Sequence, residues 1–212
     1  MQEKLQKIDA GRATEAGPAG SVMKRTMDIL VSGAGLIVLS PVFLAIWAAI
    51  RLEGPGKAIF SQERIGFHGK PFTLFKFRSM VPDAEHDGVP ALCGETDNRL
   101  TKVGAFIRHH HLDELPQLWN VLKGDMSMVG YRPERRYFIE KIKAENPDYE
   151  RLFRIRPGVF SYATLYNGYT DTMEKMLRRL EMDLDYLEHW SLWTDVKIIF
   201  LTAVAIVTGK RF

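Results

Sequence analysis

An uncharged run extends from Ile29 to Ile50 and reads ILVSGAGLIVLSPVFLAIWAAI. Its length matches the roughly 20 apolar residues that a helix needs to cross a bilayer. A secretory leader is the bland competitor, but its apolar region is normally only about 7–15 residues. Ser40-Pro41 sits in the middle. Proline lacks a backbone N–H and clashes with the preceding turn, so the helix is expected to bend there. A sharp bend leaves arms of about 18 Å and 15 Å at 1.5 Å rise per residue. Neither arm crosses a hydrocarbon layer of about 30 Å. Lys24 and Arg25 precede the run, and Arg51, Lys57 and Arg64 follow it. Positive residues favour the cytoplasmic side, and here both ends carry them. A re-entrant helix, dipping into one leaflet and returning, satisfies both ends. A straight, proline-containing span satisfies the length equally, so the residues alone leave both topologies open. The backbone groups freed at the bend need partners, and the Ser40 hydroxyl can supply one.

Around this run the chain is ordinary. Its 212 residues are 46% hydrophobic and 26% charged, which suits one domain with a buried core. That balance excludes a disordered chain, a collagen-like one and a polytopic transporter. A single cysteine, Cys93, excludes a disulfide framework and any multi-cysteine zinc site. The net charge of +3 suits phosphorylated substrates, anionic lipid or nucleic acid. A nucleic-acid surface needs a continuous basic face, whereas acids interrupt the cations here.

Residues 1–20 hold little to bury and read as a flexible tail, 21–52 as the membrane element and 53–212 as the remaining domain. Ala58–Ile65 and Pro71–Phe77 are strand-like, with a turn at Gly66–Lys70 between them. On the second strand Lys76 and Arg78 share one face and could hold a phosphate, although basic strand edges also serve simply to resist aggregation. Pro82–Gly94 reads as a loop. Leu112, Leu115, Leu118, Trp119 and Leu122 then recur at helical spacing. Asp113 is expected to cap that helix, with Pro116 in its first turn and Gly124 at its end. Asp113 and Glu114 thus fall near a positive dipole end, which also attracts phosphate and should keep a carboxylate ionised. Acids at helix starts are commonly no more than caps. His109-His110-His111 invites a metal reading, but consecutive side chains diverge and rarely share one ion. A long helix is expected over Asp171–Leu187, its stripe of Met173, Met176, Leu177, Leu180 and Leu184 facing the core. Trp190 and Trp193 precede a short apolar run, Ile198–Val207, and Lys210-Arg211 follow, a pattern suited to an interfacial or buried helix.

In this order, the pieces resemble the bacterial sugar transferase family, the monotopic phosphoglycosyl transferases. The resemblance covers about Lys24 to Phe212. It rests on Lys24-Arg25-x-x-Asp28, Ser40-Pro41, Gln62-Glu63-Arg64-Ile65-Gly66, Phe75-Lys76-Phe77-Arg78-Ser79-Met80 and Asp83-Ala84-Glu85. Arg99-x-Thr101-x-x-Gly104 with Arg108 follows, then the block from Leu112 to Ser127, and last Trp190-Ser191-Leu192-Trp193-x-Asp195. Tyr131-Arg132-Pro133 stands where the family usually has Pro-Arg-Pro, and His110-His111 where it has Thr-Ser. Val159-Phe160-Ser161 also departs from the usual Ile-Thr-Gly. These departures bear on sugar and nucleotide preference more than on reaction type.

The resemblance implies a mostly helical α+β fold with a re-entrant helix-break-helix at Ser40 and Pro41, a small β-hairpin and interfacial amphipathic helices. It implies the small, catalytic-domain-only form on the cytoplasmic face of the bacterial inner membrane. The implied activity moves a sugar-1-phosphate from a UDP-sugar to undecaprenyl phosphate and releases UMP, the first membrane step of glycoconjugate synthesis. Asp113 would be the nucleophile and carry a covalent phosphosugar intermediate, and Glu114 would help it hold Mg²⁺ or handle a proton. Lys76, Arg78, Arg108, Arg132 and Pro133 would bind substrate. The implied partners are the UDP-sugar, undecaprenyl phosphate and the lipid bilayer, with no nucleic acid; a homodimer is left open.

Overall fold

The computed structural model describes residues 18–82, 84, 97–168 and 170–208. Most of the expected tail, most of the Pro82–Gly94 loop with Cys93, the acids of Asp83-Ala84-Glu85, and Lys210-Arg211 lie outside them.

The apolar run forms helices α1 (Pro18–Val38) and α2 (Ser40–Glu53), which meet at a bend of 60°. Among the described residues no single helix is long and apolar enough to cross a bilayer; only this bent pair, taken together, is. The cause is local. The Ile37 carbonyl would accept from residue 41, but Pro41 has no N–H. The Ser40 hydroxyl donates to that carbonyl instead, at 2.8 Å. Bonds from Leu39 N to Gly35 O and from Phe43 N to Leu39 O carry the ladder across the bend. Leu30, Ile37, Val38, Leu44 and Leu52 are between 66% and 88% exposed, an apolar surface that a water-facing helix would not carry.

The lower end of α1 is bolted to the rest of the chain. Lys24 and Arg25, expected as a positive flank, turn inward. Arg25 donates to the Val121 and Leu122 carbonyls at 2.6 and 2.8 Å, and Lys24 donates to the Val129 carbonyl and to Asp195. Asp28 is buried and accepts from the Ser127 hydroxyl at 3.0 Å and the Met128 N–H at 2.9 Å. One carboxylate, Asp28, and two cations thus satisfy backbone groups that secondary structure leaves open.

Strands β1 (Ile59–Ile65) and β2 (Pro71–Phe77) pair antiparallel, with Phe60 opposite Lys76 and Arg64 opposite Phe72. The hairpin matches the sequence expectation to within a residue. Helix α3 (Lys102–His109) is capped by Thr101, whose hydroxyl accepts from Gly104 N. Gly104 lies against Ser79, where an added Cβ would sit 1.9 Å from the carbonyl oxygen, so this position excludes any side chain.

The block after α3 departs from expectation. Leu112–Glu114 is a 3₁₀ turn, and helix α4 spans only Gln117–Lys123. Asp113 therefore does not cap the helix. Its expected partners are unavailable: Pro116 has no N–H, and Leu115 N bonds to Leu112 O. His111 turns the chain with a left-handed backbone, φ 54°. Gly124 closes α4 in the left-handed conformation, φ 99°, as expected.

Short strands β3 (Ser127–Val129) and β4 (Gly158–Phe160) pair in parallel. Helix α5 (Arg136–Glu145) and the 3₁₀ stretch Pro147–Arg154 pack on α7 (Met173–Glu188) around Ile139, Ile142, Leu152, Met176 and Leu180. The expected core stripe of α7 lies here. Helix α6 (Tyr162–Asn167) precedes α7. Helix α8 (Leu192–Thr208) starts earlier than its apolar run suggested. Its Asp195, Ile198, Thr202 and Ala205 are buried, while Trp193, Val196, Phe200 and Val204 form an outer apolar face. The fold is therefore α+β and mostly helical, with a small hairpin.

Candidate active site

A cavity of about 530 Å³ opens between the hairpin, the 111–114 turn and the Arg132 loop. Lys76, Arg78, Arg108, Asp113, Glu114 and Arg132 all line it. Pro133 does not; it is buried, and its carbonyl accepts from Arg64 at 3.2 Å.

Two of the cations converge on one carboxylate. Lys76 Nζ lies 2.6 Å and Arg132 Nη2 3.0 Å from the same oxygen of Glu114, Oε1. Burial pushes the Glu114 carboxyl up, but Lys76 and Arg132 outweigh it and hold it well below the carboxylate range. Glu114 is thus a fixed anion whose charge is spent on its neighbours. Asp113 is different. Burial pushes its pKa up to about 6, with Lys76 opposing and Glu114 adding to the rise. Among the described residues no hydrogen bond or ion pair engages the Asp113 carboxylate. It is a buried carboxylate that lines the cavity within the charge field of Lys76, Arg108 and Arg132.

Lys76 and Arg78, expected to work as a pair, diverge. Arg78 reaches back to the Ile50, Gly54 and Pro55 carbonyls and so caps the end of α2 while it lines the cavity. Of the described histidines only His111 lines the cavity, and burial lowers its pKa. His110 instead packs on Phe106, with ring centroids 4.5 Å apart. Among the described residues no three His, Cys, Asp or Glu side chains converge as a metal site. Lys76 and Arg132 both take Glu114 Oε1, so its other oxygen and the Asp113 carboxylate are what would hold a hard cation such as Mg²⁺, which keeps its remaining positions for water and phosphates.

Sequence reasoning missed the polar wall beyond Arg132. Glu134 accepts from Arg64 at 3.1 Å and from Arg179 at 2.7 Å. Arg179 also donates to the Thr170 hydroxyl at 2.7 Å. The period of two along β1, which aligns Phe60, Gln62 and Arg64 on one face, was the available signal. Glu134 and Arg179 carried no such mark.

Behind this wall Asp183 is buried; it accepts from the Ser161 hydroxyl at 2.9 Å and from the Arg132 N–H. Burial raises its pKa to about 7, against the opposing pull of Arg179. The folded state therefore keeps a proton that the unfolded chain releases near the ordinary value of 3.8. Between those values the folded state binds more protons, so this group's contribution to stability falls as pH rises. The melting temperature of Asp183→Asn, relative to the unsubstituted protein, is expected to improve from pH 5 to pH 8. A difference independent of pH would contradict this.

The family model for bacterial sugar transferases matches residues 19–209. The UDP-glucose:undecaprenyl-phosphate glucose-1-phosphate transferase of Escherichia coli (strain K12) is 43% identical over 183 residues, 85% of this chain and 39% of the relative. The UDP-N-acetylgalactosamine-undecaprenyl-phosphate N-acetylgalactosaminephosphotransferase of Aeromonas hydrophila is 40% identical over 192 residues, 91% of this chain and 45% of the relative. A UDP-glucose:undecaprenyl-phosphate glucose-1-phosphate transferase of Caulobacter vibrioides (strain ATCC 19089 / CIP 103742 / CB 15) is 37% identical over 214 residues, 95% of this chain and 79% of the relative. The chain thus spans less than half the length of the first two.

Proposed function

Because this chain belongs to the bacterial sugar transferase family, we propose that it transfers a sugar-1-phosphate from a UDP-sugar to undecaprenyl phosphate. The observation that carries this reading is the buried Asp113 carboxylate, set among Lys76, Arg108 and Arg132 in one cavity. An Asp113 oxygen attacks the sugar-bearing phosphorus. The bond to the bridging oxygen breaks, and UMP leaves with that oxygen. The acyl-phosphate so formed carries the sugar on Asp113. A phosphate oxygen of the lipid then attacks the same phosphorus and frees the carboxylate. The product is undecaprenyl-diphosphate sugar.

Phosphoryl transfer needs mainly positioning and positive charge. Arg132 and Lys76 supply charge from a fixed mount on Glu114. Arg108 adds charge on the Asp113 side. Asp113 and Glu114 would hold Mg²⁺, which when bound would offset the repulsion between carboxylate and phosphates.

The bent α1–α2 pair fits a re-entrant element in the cytoplasmic leaflet of the inner membrane. The apolar outer face of α8 fits the headgroup boundary beside it. In that arrangement the lipid phosphate reaches Asp113 without leaving the interface. Two copies could pair there without altering the chemistry. The step would start a membrane-bound glycoconjugate such as an exopolysaccharide, capsule, O-antigen or protein glycan.

UMP release from a panel of UDP-sugars, with undecaprenyl phosphate and Mg²⁺, tests the activity; no release from any of them would sink it. Topology is tested with Cys93 replaced and single cysteines near Lys24 and Lys57. Re-entry predicts labelling of both from the same membrane face, whereas opposite faces mean a span.

A further inference from the structure

The cavity has a direction. Its β1 face carries Phe60, Gln62 and Arg64 in turn, about 13 Å from first to last at roughly 3.3 Å per residue. Phe60 lies opposite Lys76, the residue bonded to Glu114, so this end holds the carboxylates. It also adjoins α2 through Arg78. The other end, at Arg64, is remote from the membrane element.

The remote end is polar, and a carboxylate stands between its cations. Glu134 takes up the Arg64 and Arg179 guanidiniums. Those same guanidiniums orient two neutral groups. Arg64 donates to the Gln62 carbonyl oxygen at 2.7 Å, which leaves the Gln62 amide N–H₂ unpaired among the described residues. Arg179 donates to the Thr170 oxygen, which leaves the Thr170 hydroxyl proton to donate elsewhere. Each Glu134 oxygen keeps a second lone pair. Gln62, Glu134 and Thr170 all line the cavity. Two aimed donors beside a fixed acceptor match neutral hydroxyls, which both donate and accept. A phosphate, which only accepts, could make no use of the Glu134 oxygens.

We propose that Gln62, Glu134 and Thr170 form a hydroxyl-recognition subsite for the UDP-sugar donor, set apart from the phosphate-handling cations. It rests on the transferase reading above. Two rings of the donor carry neighbouring hydroxyls, the transferred sugar and the ribose, and both offer the chemistry this end of the cavity takes.

The test is binding of UDP-glucose, UDP-N-acetylgalactosamine and UDP to the full chain in detergent with Mg²⁺. Thr170→Val keeps shape and removes the donor; Gln62→Leu does the same on the opposite wall. Neither breaks the Glu134 ion pairs, so unchanged melting temperatures would confirm intact folds. Each substitution is expected to weaken the tighter-bound UDP-sugar about 3–10-fold, the worth of one hydrogen bond. If UDP affinity is unchanged, the subsite reads the transferred sugar. If UDP weakens equally, and 2′-deoxy-UDP binds variant and unsubstituted protein alike, it reads the ribose. Full UDP-sugar affinity in both variants overturns the subsite while leaving the transferase reading intact. If the unsubstituted chain binds neither UDP nor a UDP-sugar, both fall together.

Discussion

Asp113→Asn is expected to lower UMP release by about 10⁴-fold or more, the scale of losing a covalent nucleophile. The fold should survive the change. Asparagine matches aspartate in size and removes a charge that burial disfavours, as the raised pKa of Asp113 indicates. The melting temperature should therefore hold or rise while turnover vanishes, which separates chemistry from folding. Incubating the unsubstituted chain with a sugar-labelled UDP-sugar, without lipid, should leave label on the protein, and Asp113→Asn should retain none. Near-normal turnover in that variant would remove Asp113 from the nucleophile's role.

Asp195→Ala is expected to have the largest effect on stability, about 3–5 kcal/mol. Asp195 is fully buried and accepts from Lys24, from the Tyr186 hydroxyl at 2.6 Å and from the Trp190 indole at 3.2 Å. Removing it strands a cation and two donors at the junction of α1, α7 and α8. Thermal melting in detergent measures this. The surface pair Lys143–Glu150 is the control, since its loss should leave melting unchanged. If Asp195→Ala melts like that control, the junction does not hold the structure together.

What the sequence conveyed followed from how local the determining physics is. The hairpin is written in alternation and turn residues, and it was legible almost to the residue. The bend needs only Pro41's missing N–H and a nearby hydroxyl, and Ser40 fills that role. The Asp113 cap failed for an equally local reason, because Pro116 removes the N–H it would have met. Partnerships across the chain were not legible. Nothing near Asp28 points to Ser127 and Met128, and nothing near Glu134 points to Arg179. Tyr131 shows the same limit. It departs from the family pattern, yet it sits wholly buried behind the cavity, so its substitution changes packing rather than a wall of the site.

Both legs of the bent helix pair are tied to the body that holds the cavity. Arg25, Lys24 and Asp28 fasten the first to α4, β3 and α8, while Arg78 ties the end of the second to the cavity wall. A fixed hoop of this kind works as a depth gauge. If the pair re-enters the leaflet as proposed, the height of Asp113 above the acyl chains is set by where the bend settles, and the site does not slide independently of it. A re-entrant pair touches one leaflet only, so reach to the lipid phosphate would follow the headgroup level of that leaflet and not the thickness of the whole bilayer.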